Sequence, residues 1–357
     1  MTAPKIFITG ATGYIGGEVL HSITQAHPDY DITAFVRNSD KGAVVAAQYP
    51  KVRLVYGELD KVDTLEEEAK KADIVLHFAD SSDHEPSATA IVKGVKAHSP
   101  DHPGFYIHTC GTGILEWQDD EHMTHGEHRD KIWDDWDNVD EVTSIPTFAV
   151  HRTVDEIVLA EEKSASDRLK LAIVCPPCIY GPGRGPGNKR SIQAYNMAKY
   201  VLKRKEGFQI KEGKNIWCQI HVQDLSQVYV RLVEEAVKGG GSATWGQKAY
   251  YFAENGEFVW GDVSQRIASI AHEKGFIPTD KVASLNEKDA TTLDPMALLQ
   301  WGGNSRCRAI RARKVLGWSP APGRPTLFEE LPTIVDDEAK ALGLVTGHAK
   351  KVNQIIA

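Results

Sequence analysis

The stretch FITGATGYIGGEVL, residues 7–20, limits the possible folds of this chain more than any other. Gly10, Gly13 and Gly16 follow a short apolar run and open a segment of helical periodicity. Glycines so placed permit a tight turn and let the backbone approach a pyrophosphate. The helix N-terminus behind them offers unpaired N–H groups and the positive end of a dipole. Three spaced glycines alone are a weak signal; with a strand before and a helix after they become specific. The stretch therefore predicts a dinucleotide cradle formed by Gly10, Thr12, Gly13, Tyr14, Ile15 and Gly16. The rival reading, a glycine-rich turn with no ligand, leaves the flanking strand and helix as coincidence.

The rest of the first half keeps the same rhythm. Runs at 5–9, 31–36, 52–56, 73–78, 104–109 and 169–174 are rich in Val and Ile and read as strands. Helical patterns lie between them at 14–26, 62–71, 85–98 and 146–163. Such alternation implies parallel β-α-β units and an α/β fold, a Rossmann-type doubly wound parallel sheet. Residues 115–144 break the rhythm: they are acidic, rich in Trp and His, and read as a long loop at the carboxyl edge of the sheet. Beyond about residue 176 the pattern turns irregular, with helices expected at 190–205, 224–238, 260–273, 308–316 and 325–342. The organisation expected is a nucleotide-binding domain over 1–180, to which part of 215–260 returns, and a smaller substrate-binding C-terminal lobe over most of 181–357.

Composition excludes several classes of function. A net charge of −8 over 357 residues argues against nucleic acid as a partner, which would want a basic face. No apolar run approaches the roughly 18–20 residues of a membrane span. The chain enters a strand within a few residues of its start, leaving no room for a targeting segment, so a cytoplasmic protein is expected. Five cysteines, an odd number in a large chain, do not suggest a disulfide framework. Cys175-Pro-Pro-Cys178 has redox spacing but closes a strand and does not open a helix.

The end of the second strand bears on the cofactor. An acid there suits the ribose 2′-hydroxyl of NAD, and an arginine suits the 2′-phosphate of NADP. The chain has AFVRNSDKG, with Arg37 after the strand and Lys41 four residues on. Guanidinium forms paired hydrogen bonds to phosphate. NADP is therefore expected, against the alternative of a solvated surface arginine.

These features resemble an extended short-chain dehydrogenase/reductase, of the NAD(P)-dependent epimerase/dehydratase type. The resemblance rests on TGATGYIGG and on GELD, whose Glu58 and Leu59 stand where the family contacts adenine. It continues in VLHFAD, with Phe78, Ala79 and Asp80 at the fourth-strand cofactor contact. CPPCIYGPG, with Pro176 and Cys178, resembles the loop beside the nicotinamide, and IHVQDL and RARKVLGWSP resemble C-terminal markers. The resemblance implies a Tyr-x-x-x-Lys dyad on the helix after the fifth strand. Here Phe148 and Arg152 fill those positions, and Gly111 falls near the family's usual serine. YNMAK, 195–199, has the letters of the dyad but follows the sixth strand and reads as coincidence.

What chemistry remains is limited. Arg152 can donate to ribose hydroxyls but cannot act as a base. Thr109 and Thr112 can orient a carbonyl. His151 titrates near neutrality and, on a regular helix, lies about 60° around from Phe148. It reads either as a proton donor or as a surface residue paired with Asp155 at i+4. His122, His125 and His128 make zinc conceivable, but no metal is expected, and the segment reads better as a polar substrate loop. Trp117, Trp133 and Trp136 suit either an aromatic pocket or plain packing. The reading is an atypical NADPH-dependent reductase for a small carbonyl, imine or conjugated alkene. The alternatives are a non-catalytic NADP sensor and, disfavoured by the missing base, a nucleotide-sugar epimerase or dehydratase. The resemblance also implies a possible homodimer.

Overall fold

The computed structural model describes residues 3–345. Seven strands form one sheet: β1 Lys5–Thr9, β2 Asp31–Val36, β3 Arg53–Tyr56, β4 Ile74–His77, β5 Gly104–Thr109, β6 Leu169–Cys175 and β7 Tyr250–Phe252. Their order is β7-β6-β5-β4-β1-β2-β3, and every pairing is parallel. Parallel sheets are covered on both faces, which is why Ile6, Ile8, Val75, Leu76 and Ile107 run without polar relief and are all buried. The covering helices are α1 Tyr14–Ala26, α2 Ser39–Gln48, α3 Val62–Lys71, α4 Glu85–Val95, α5 Arg152–Ser164 and α6 Val222–Val237. The α2 helix was not expected; Asn38 starts it by accepting from Lys41 N at 3.0 Å. Strand order reverses between β1 and β4, so their carboxyl ends open the crevice in which such sheets hold ligands.

Two apolar cores share the chain. The first includes buried residues of β1, β2 and β4–β7, of α6 and of 307–318; the second is built from 178–210, 258–301 and 327–339 with Trp217. The helices Gln193–Arg204, Trp260–Glu273 and Leu327–Ala341 pack on one another in the second.

Two expectations are corrected. The helix expected over 146–163 begins only at Arg152. Residues before it form turns, with Ala149 N bonded to Pro146 O and Arg152 N to Ala149 O. His151 adopts a left-handed φ of 68°, which interrupts the helix, so the about 60° offset from Phe148 does not apply. The supposed loop 115–144 is instead an ordered connector with short helices at Trp117–His122 and Val139–Thr143 and a strand, Trp133–Asp134, paired with Cys307–Arg308. Two of its acids, Asp119 and Asp135, are buried and bonded within the fold. Asp119 accepts from Asn304 N at 2.7 Å and from Arg129 at 3.0 Å. Asp135 takes the N–H groups of Phe252, Ile310 and Arg311. Burial nevertheless pushes the Asp135 carboxyl up to about 7.

Candidate active site

The cradle at the end of β1 is set by close backbone approaches. Gly10 has φ 72°, and a Cβ there would lie 2.9 Å from Ala79 N. A Cβ on Gly16 would meet Gly10 O at 2.4 Å. The turn therefore excludes side chains at both positions. Thr9 Oγ1 accepts from Phe78 N at 3.1 Å and Ala79 N at 3.2 Å, and bonds His77 Nδ1 at 2.7 Å. This pins the end of β4 against the glycine turn. Burial holds His77 well below the usual imidazole range, so the network is neutral. An open first turn of a helix behind two obligatory glycines fits the pyrophosphate of a nicotinamide dinucleotide.

A second segment closes over this turn. Residues 181–191 leave the strand Cys178–Tyr180 and lie on α1. A Cβ on Gly185 would sit 2.5 Å from Gly17 Cα, and Asn188 N donates to Thr12 O at 2.9 Å. The fully buried carboxylate of Glu18 accepts from Arg184 N at 2.7 Å and Arg184 Nε at 2.9 Å. Tyr14 donates to the Gly181 carbonyl, and burial raises its phenol well above the ordinary value, so it stays protonated.

Between this roof, the sheet edge and the second core lies a cavity of about 730 Å³. Gly10, Gly13, Tyr14, Ile15, Gly16 and Phe78 form its cofactor end. His151 stands in its wall, and its Nδ1 lies 2.7 Å from Asp83 Oδ1. Burial alone would raise the Asp83 carboxyl, but the hydrogen bond and charge of His151 hold it below its usual value. The free nitrogen, Nε2, lies over the fifth-strand loop: a Cβ on Gly111 would be 3.2 Å from it. A larger residue at 111 would crowd the imidazole, so glycine there leaves room for a histidine. An imidazole tethered through Nδ1, with Nε2 facing a cavity, is placed to exchange a proton with a group bound there.

Residues 10–103 match the model of an NAD(P)H-binding family. A protein of Acremonium sp named oxidase ucsJ is 37% identical over 347 residues, spanning 95% of this chain and 99% of that one. Among solved structures, dTDP-glucose 4,6-dehydratase from Bacillus anthracis with NAD covers 95% of this chain and 97% of its own at TM-score 0.63 and 16% identity. UDP-glucose 4-epimerase from Thermotoga maritima with UDP-glucose covers 95% and 99% at TM-score 0.62 and 14% identity. The chain belongs to the same family as that oxidase, and it shares the fold of these NAD(P)-dependent epimerase and dehydratase structures. Its fold is that of an NAD(P)-binding oxidoreductase.

The residues singled out in the sequence do not all meet. Thr112 and Pro176 line the cavity with His151. Thr112 Oγ1 and its carbonyl accept from Ser305 Oγ at 2.7 Å. Thr109 is turned inward, its hydroxyl 2.8 Å from that of Tyr229. Arg152 is buried away from the cavity wall, donating to Thr143 O at 2.5 Å and facing Glu156 at 3.3 Å. Phe148 is 60% exposed and stacks edge-on with Trp117. Arg37, Glu58 and Asp80 are exposed at the carboxyl ends of β2, β3 and β4, while Leu59 packs partly buried against the first core. Cys178 points into the second core, where burial pushes its thiol up to about 12. All five cysteines are free and buried.

The histidines of the connector separate. His122 pairs with Glu121, His128 with Asp130, and His125 with Asp120 and Glu287. No metal-binding cluster occurs among the described residues. Trp117 and Trp133 line a separate hollow of about 430 Å³, and Trp136 lies under Lys314. Tyr195 of YNMAK sits in the second lobe, bonded to Asp337 at 3.2 Å. No described helix is long and apolar enough to cross a membrane.

Asp155 does not pair with His151. It is fully buried behind it, accepting from Tyr250 at 3.0 Å, with His108 Nε2 3.7 Å away. Burial pushes Asp155 up to about 6 and His108 down to about 3, so both tend towards neutrality. Sequence reading missed Asp83, Asn188, Ser191 and Asp294 in or beside the site. Only Asp83 left a trace, as the last residue of FADSSD after β4.

Proposed function

We propose that the protein is an atypical NADP-dependent oxidoreductase acting on a small carbonyl, imine or conjugated alkene, or on the corresponding reduced compound. The observation that carries this reading is the His151–Asp83 pair opening into the cavity beside the glycine cradle. A bound nicotinamide supplies a hydride donor or acceptor. The protein's own part is to move the proton: Asp83 holds Nδ1, and Nε2 gives a proton to the substrate heteroatom on reduction or takes one on oxidation. Phe148 and Arg152 have no part in that step. Arg37, exposed at the end of β2 and without an ion pair among the described residues, supports NADP through its 2′-phosphate. The displaced Arg152 favours a second reading, a non-catalytic NADP-binding sensor, because no lysine or arginine of that helix reaches the cavity wall. A panel of carbonyls, imines, enones and their reduced forms, followed at the nicotinamide absorbance with NADPH or NADP⁺, separates the two. Turnover that falls in His151→Phe supports the enzyme. Tight NADPH binding with no turnover of any compound supports the sensor.

A further inference from the structure

The outer half of the cavity has an unusual charge balance. Among the described residues, the only ionisable side chains lining the whole cavity are Tyr14, Cys110, His151 and Asp294, with no lysine or arginine. Asp294 is the one carboxylate. Its Oδ1 accepts from Met296 N at 2.8 Å, the Tyr200 hydroxyl reaches the same group, and no cation lies within ion-pair distance among the described residues. The same cavity carries an unsatisfied polar group: Ser191 is 5% exposed, lines the cavity, and its hydroxyl has no hydrogen-bond partner. A buried hydroxyl left unpaired is costly, so a ligand atom that bonds it gains twice. The remainder is apolar. Trp217 and Leu299 form the wall, while Ile192 and Met296 stand at the mouth, 64% and 50% exposed.

We infer that the cavity takes an amphipathic amine, its protonated nitrogen held by Asp294 and its apolar body against Leu299, Trp217 and Met296. A cation entering this wall gains a charge partner that the protein itself does not provide. An anion, including the diphosphate of a sugar nucleotide, would meet a carboxylate and no compensating cation. Within the oxidoreductase reading, on which the word substrate rests, this selects amine and imine compounds from the three substrate classes. The binding itself does not depend on that reading.

The test uses three near-isosteric probes: cyclohexylmethylamine, cyclohexylmethanol and cyclohexanecarboxylate. Their binding to the full chain is read by calorimetry. The amine should bind about ten- to a hundredfold more tightly than the alcohol, the usual worth of a charged hydrogen bond. The carboxylate should bind most weakly. Asp294→Asn keeps the acceptor for Met296 N, and it should erase the amine's advantage while leaving NADPH binding unchanged. Equal affinities for the three probes in the wild-type protein would overturn the inference without any variant, as would an unchanged amine preference in Asp294→Asn. Amine binding that needs Asp294, with no hydride transfer to or from any compound, keeps the inference and removes the oxidoreductase reading. Turnover of neutral carbonyls with no preference for charge does the reverse.

Discussion

His151 and Asp83, 68 residues apart, meet at 2.7 Å across the cavity edge. Asp83 leaves β4 and His151 precedes α5, so the pair ties the end of the fourth strand to the start of the helix after the fifth. The left-handed backbone of His151 costs roughly 1–2 kcal/mol, and the bond to Asp83 helps offset it. If this pair moves the proton, His151→Phe lowers turnover by about 10²- to 10⁴-fold. Asp83→Asn should lower turnover less, change its pH profile, and leave the NADPH dissociation constant unaltered in calorimetry.

Phe148 gives a sharper test. It is exposed beside Trp117 and absent from the cavity wall, so Phe148→Tyr restores no donor at the site. Steady-state turnover should be the same in variant and wild type. A marked rise would mean that residues 146–152 form a continuous helix when cofactor is bound.

Arg37 is expected to set cofactor choice. Arg37→Ala should cost about 1.5–3 kcal/mol of NADPH affinity and leave NADH almost untouched. Titration of both cofactors by calorimetry checks this, and equal affinities in the wild type would remove the role.

The glycine turn predicts an all-or-none response. A methyl at Gly16 would stand 2.4 Å from Gly10 O, so the backbone must shift. Gly16→Ala should abolish cofactor binding and cost about 1–3 kcal/mol of stability. Thermal melts with and without NADPH should show a lowered transition that the cofactor no longer raises.

His125 carries a pH dependence. It is 2% exposed, with Nε2 3.0 Å from Asp120 and Nδ1 3.1 Å from Glu287. Both nitrogens face acceptors, which requires the imidazolium. Burial lowers its pKa, but the hydrogen bonds and charges of Asp120 and Glu287 raise it further, for a net rise. Lys211 Nζ, 2.9 Å from Glu287, is the other charge at the clasp. The stabilisation is whole below the unfolded value of about 6.5 and disappears as pH rises through the folded value. Wild type should exceed His125→Gln in melting temperature at pH 6, and the gap should narrow towards pH 9.

The turn after β1 was legible because its physics is local: left-handed and crowded backbone positions demand glycine where the sequence has it. The sheet was legible because buried parallel strands leave unbroken apolar runs. The start of α5 was not. Val150, Val154, Ile157 and Val158 keep helical spacing across a break that a distant acid helps to hold. The connector 115–144 misled for a related reason. Its acids look solvated in sequence, yet Asp119 and Asp135 are almost fully buried by residues about 115 to 185 positions away. Asp294 belongs to no motif, and only the packing of the second core brings it to the cavity.

After Cys175, Trp217, Ala253, Trp301 and Trp318 the chain passes from one apolar core to the other, five passages in all. No single cut frees the second core as a contiguous piece. A lobe from a relative therefore cannot be grafted here by exchanging one terminal segment, since three separate stretches would have to be replaced together. Changes of specificity in this architecture are more readily made by point substitution within the wall, at positions such as Ser191, Asp294 and Leu299.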